Sequence, residues 1–173
     1  MVFHECVHQL LHLGYSGRFP TRLPFIQQAQ NSQIHFWIVE GIACLFETCD
    51  LSGGRLAPQL KGARYDRAAR RIAAGDREPL VSWMAANQDR FMAGDAAGVN
   101  RNYDLAATLC HYFVNFAGGQ KYRDRFFQFL SAHYRGDVDL ETFQKVFGGR
   151  IDLLQAEFEA YCLETWPQKQ KGE

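Results

Sequence analysis

Apolar residues recur at helical spacing along most of the chain. Phe3, Val7, Leu10 and Leu11 predict a first helix over 3–13, with Gly14 as its stop. Residues 14–31, punctuated by Gly17, Pro20 and Pro24, read as a loop in which 25–30 admit one turn. Ser32 then stands as the N-cap of a second helix running to about Thr48, with Ile34, Trp37, Ile38, Ile42, Leu45 and Phe46 as its apolar positions. Gly53-Gly54 and Pro58 mark a connector over 49–63. A basic helix follows over 64–74, then short helices over 79–86 and 87–93 and a loop over 94–100. Further helices are predicted over 103–116 and 120–134, over 140–147 with Asp139 as cap, and over 151–165 before Pro167. No period-2 alternation predicts a strand, and no internal repeat is present.

Composition narrows the class. A chain of 173 residues, 47 % hydrophobic and 14 % aromatic, suits one globular domain over 1–173 and excludes a disordered or collagen-like chain. Nineteen Lys plus Arg balance nineteen Asp plus Glu, so nothing supports a nucleic-acid partner. The balance hides a basic stretch at 55–71 and an acidic one at 137–164. Arg64, Arg67 and Arg71, at i, i+3 and i+7, read as a solvated face before they read as an anion site. No apolar run of about 18 residues predicts a membrane span, and the first residues do not form a signal peptide. Five cysteines without CxxC spacing fit reduced thiols packed as small hydrophobes.

His4-Glu5-Cys6-Val7-His8 is an HExxH. On a helix, i and i+4 share a face, so both imidazoles can grip one metal ion while Glu5 reaches its water as a general base. A zinc site needs a third protein ligand. The metzincin extension would need Gly at 11 and His at 14, where this chain has Leu11 and Gly14. His12 continues the histidine column, but one straight helix cannot wrap three such ligands around one ion, so a supporting role fits it better. Glu40 is the remaining candidate: it lies in the apolar stretch Trp37 to Ala43, where a carboxylate is costly to bury without a partner. The small residues Gly41 and Ala43 are expected to let this helix approach the first one. Glu47, two turns on, either orients a histidine ligand or faces solvent.

HExxH followed by Trp37-Ile38-Val39-Glu40-Gly41-Ile42-Ala43 resembles the gluzincin arrangement of zinc metallopeptidases. More closely, the chain resembles an uncharacterised bacterial family of gluzincin-like domains, with motifs running from His4-Glu5-Cys6-Val7-His8-Gln9 through Tyr103-Asp104-Leu105-Ala106-Ala107, His111-Tyr112-Phe113 and Gly119-Gln120-Lys121-Tyr122-Arg123 to Phe158. The resemblance implies a mainly α zincin-like helical core, with ligand helices in 3–50 and a helical subdomain over 64–166. It implies His4, His8 and Glu40 as Zn2+ ligands, Glu5 as catalytic base and a peptide or protein as substrate. It also implies an oxyanion donor: Tyr103, expected to open a helix, with His111 two turns on as second candidate. Both also fit an aromatic core residue with a satisfied polar tip.

In zincins a sheet precedes the HExxH helix and holds extended substrate by strand addition. Met1 lies three residues before His4, so that sheet is expected to be largely missing from this chain, and peptidase activity to be weak without it. The rival reading is a non-catalytic helical module that keeps a zinc site or its remnant. Tyr15, Phe19 and Phe25 either line a subsite or pack on the core; His35 and His133 read as core or rim residues.

Overall fold

The computed structural model describes residues 2–16, 34–50, 57–58, 62–115, 120–135, 138–148 and 151–169. In chain order the elements are α1 (Val2–Ser16), α2 (Trp37–Glu47), β1 (Cys49–Asp50), β2 (Ala57–Pro58), α3 (Ala63–Ala73), α4 (Leu80–Met84), α5 (Gln88–Phe91), α6 (Ala96–Asn115), α7 (Gln120–Arg135), α8 (Leu140–Phe147) and α9 (Ile151–Lys169). The protein is mainly helical, as its periodicity predicts. No helix among the described residues is long and apolar enough to cross a membrane.

Helix α2 is the centre of the packing. Every residue from Trp37 to Leu45 is buried, Glu40 included. One apolar cluster runs from Phe36 on its leading edge through α3, α6, α7 and α8 to Cys162 on α9, so these helices share a core with α2. Closest to α2 lies α6. A Cβ added at Gly41 would stand 2.5 Å from the Ala106 carbonyl oxygen and 2.6 Å from Cys110 Sγ. The expectation that Gly41 lets α2 approach α1 is therefore corrected: the contact it permits is with α6.

Several boundaries differ from the periodicity for identifiable reasons. Helix α2 starts at Trp37, because His35 takes φ 66°, the left-handed region that a helix cannot pass through. The expected cap Ser32 lies outside the described residues. Helix α6 starts at Ala96, seven residues before the expected position. The Asp95 side chain accepts from Gly98 N at 2.8 Å, and Val99 N donates to the Asp95 carbonyl, so a stretch that reads as loop is a capped first turn. Tyr103 accordingly sits two turns inside α6 instead of opening it. Helix α9 continues past Pro167 to Lys169. Cys49 and Asp50 pair antiparallel with Pro58 and Ala57, two strands too short to leave an alternation. At α8 the predicted Asp139 cap is present as a reciprocal capping box with Thr142, and Gly148 closes the helix at φ 86°.

The arginine stripe of α3 is not a solvated face. Arg67 donates through Nε and Nη2 to the two carboxylate oxygens of Asp104 at 2.8 and 2.6 Å, and Arg71 adds a third contact at 3.3 Å. Asp104 is fully buried, so this fork clamps α3 onto α6. Arg64, one turn earlier, lies 3.6 Å from Glu47 and 5.5 Å from the centre of the Tyr103 ring.

His35 and His133 are core residues, 0 % and 2 % exposed, with the His35 ring between Phe129 and Phe143. Burial pushes both imidazoles down to about 4, His133 further opposed by His35.

Two outcomes follow from this packing. Gly41→Ala is expected to destabilise the fold by about 1–3 kcal/mol through overpacking against α6, read as a fall in Tm of several degrees; an unchanged Tm would refute the close approach. Between pH 6.5 and 4 the unfolded chain binds protons on His35 and His133 that the folded chain refuses. The contribution of these two rings is therefore complete above pH 6.5 and falls as pH drops toward 4, by roughly 3 kcal/mol per ring. Urea midpoints at pH 7 and 4.5 measure this, and His133→Leu should flatten the difference.

Candidate metal centre

Helices α1 and α2 face each other through polar groups. His4 and His8, one turn apart on α1, have ring centres 4.7 Å apart at 79°. Glu40 projects between them from the first turn of α2. His4 Nε2 lies 3.1 Å from Glu40 Oε2, and His8 Nε2 lies 3.8 Å from Glu40 Oε1. The three donor atoms fall within 4.8 Å of one another. Ligands at about 2.1 Å from a tetrahedral zinc stand about 3.4 Å apart, so the set fits such an ion.

The other face of His4 is held as well. Nδ1 lies 3.0 Å from Glu47 Oε1, so of the two readings of Glu47 the histidine-orienting one matches its position. With an acceptor at each nitrogen, His4 is driven toward imidazolium. Contact with Cys44 and then Glu40 raises its pKa to about 10, against the effect of burial. The proton on Nε2 thus occupies the direction in which a metal would bind. His8 is shifted the opposite way, lowered chiefly by burial, which keeps it the neutral imidazole that a metal requires. Its Nδ1 is buried without a hydrogen-bond partner among the described residues.

Glu5, beside His4 on α1, is exposed, and its charge acts on His8. Tyr103 reaches the same place from α6. Burial, with the Glu40 carboxylate next, holds its phenol well above the usual range, and its hydroxyl lies 3.8 Å from Met92 Sδ. His111 stands elsewhere, about 12 Å further along α6. Its Nδ1 lies 2.7 Å from the Tyr161 hydroxyl, its ring stacks on Tyr161, and the Tyr65 ring meets it edge-on. The structure brings His4, Glu5, His8, Glu40 and Tyr103 together and sets His111 in the contact between α6 and α9. Phe19 and Phe25, and the side chains of His12 and Tyr15, lie outside what is described.

Cys44 is what spacing alone does not single out. Its four-residue offset from Glu40 was open to inspection, but a cysteine in an apolar helix passes for packing. All five cysteines are free thiols, Cys44, Cys110 and Cys162 buried among them. No family model, curated protein or solved structure matches this chain.

Glu40 also docks α1. Among the described α1 side chains Val7 alone is a buried apolar residue, and Leu10 is 67 % exposed. Glu40→Ala is expected to release α1, speeding amide exchange over 2–16 by about tenfold or more while α6 stays protected. Equal exchange in both proteins would show that α1 is held by other contacts.

Proposed function

We propose that this chain is the helical core of a gluzincin-type zinc peptidase that hydrolyses an amide bond in a peptide or protein. One observation carries the reading: two histidines of an HExxH and a buried glutamate from a second helix converge at donor spacings suited to tetrahedral zinc. His4, His8 and Glu40 would hold the ion. When bound, zinc lowers the pKa of water and polarises a carbonyl.

The protein's own groups supply the rest. Glu5, exposed and adjacent to a ligand, accepts the proton of the attacking water and returns it to the leaving amine. Tyr103 stays protonated at neutral pH, as a donor to a developing oxyanion must. Glu47 accepts from His4 Nδ1, which leaves Nε2 to the ion, and Arg64 holds the second oxygen of Glu47. His111, engaged with Tyr161, leaves the oxyanion role to Tyr103.

Metal analysis by mass spectrometry, joined to turnover of a peptide library, tests the reading. The unaltered protein should carry about one zinc, and His4→Ala and Glu40→Ala should lose it; retention in both would sink the assignment. Glu5→Gln should keep zinc and lower turnover by about 10²–10⁴-fold. Unchanged turnover would remove Glu5 as base, and zinc without turnover in any form would leave a binding module.

A further inference from the structure

Helix α2 carries more donors than one ion needs. Glu40, Cys44 and Glu47 occupy i, i+4 and i+7, one stripe of a helix otherwise filled with core residues. His4 lies across from the whole stripe and addresses its two ends with different nitrogens: Nε2 meets Glu40 at 3.1 Å and Nδ1 meets Glu47 at 3.0 Å. Between them sits the Cys44 thiol, 0 % exposed and within 4.8 Å of the same imidazole. A ring nitrogen of His4, Cys44 Sγ and a Glu47 oxygen lie within 4.8 Å of one another, a second three-donor group beside that of His4, His8 and Glu40.

We propose that His4, Cys44 and Glu47 form a second metal seat, selective for a thiophilic divalent cation. A thiolate, an imidazole nitrogen and a carboxylate oxygen make a mixed soft set, whereas the first seat offers nitrogen and oxygen only. Two anionic donors neutralise the ion. The second Glu47 oxygen remains on Arg64 at 3.6 Å, so the carboxylate is held in place without being used up. Binding releases the Cys44 thiol proton and the His4 Nδ1 proton to solvent. The two seats share one ring, so an ion in the second replaces the N–H that Glu47 otherwise accepts. This inference does not require the peptidase reading, with which it shares His4, Glu47 and the Arg64 contact.

Cadmium titration of the metal-free protein tests it, because thiolate coordination produces a near-ultraviolet charge-transfer absorbance that nitrogen and oxygen ligands do not. His8→Ala, which disables the first seat alone, should show the absorbance at one equivalent of Cd2+. Cys44→Ser should abolish it, and Cys44→Ala serves if the serine variant does not fold. No absorbance in His8→Ala, or absorbance that survives loss of Cys44 and so arises at Cys6 or Cys49, would overturn the second seat. Failure of the peptidase reading looks different: Cys44→Ser would then bind no metal, while His8→Ala kept its thiolate signal.

Discussion

A carboxylate buried on the most enclosed helix of the protein is the constraint around which the N-terminal half is arranged. Glu40 is 8 % exposed on a helix whose neighbours are Trp37, Ile38, Ile42 and Leu45. Leaving that charge unpaired costs several kcal/mol, so something must come to it. What comes is α1, whose His4 and His8 meet the carboxylate while Val7 is buried and Leu11 packs against the main core. The geometry suited to a metal is thus the same geometry that satisfies a buried acid.

The opposite side of α2 is set by a different means. Gly41 removes the side chain that would collide with Ala106 and Cys110, and α6 comes in against the bare backbone. Asp104 then fixes where α6 stands, since its buried carboxylate is saturated by Arg67 and Arg71 from α3. Tyr103 immediately precedes Asp104, and Arg64 of the same α3 stripe lies over its ring. A fork of charge-assisted hydrogen bonds on one face of α6 thereby fixes Tyr103 on the adjoining face, where its hydroxyl donates to Met92 Sδ.

The local rules that operate within one helix were legible in the sequence. The i, i+4 histidines, the incongruous acid among apolar residues and the Asp139 cap all depend on near neighbours, and each is where periodicity placed it. What was not legible depended on partners distant in sequence or on turns that mimic loops. Gly94 to Asn100 has loop composition, yet the Asp95 cap turns most of it into helix. The Arg64–Arg67–Arg71 stripe has the spacing of a solvated face, and only the fold reveals that Asp104 and Glu47 await it. Gly41 announces a close approach but not which helix approaches. Cys44 reads as a small hydrophobe until His4 is known to lie opposite.

Because both histidines of α1 meet acids of α2, ligand chemistry and the docking of α1 are linked. His4 bonded to Glu40 and Glu47 as an imidazolium, and His4 holding a cation at one nitrogen, are two ways of satisfying the same acids. A cation that displaced the proton would replace one tether between α1 and α2 with another that also recruited His8, whose pKa burial lowers. Metal binding to this arrangement would therefore be linked to the docking of the helix that carries the ligands, and whatever binds the docked form strengthens it in proportion to its own affinity.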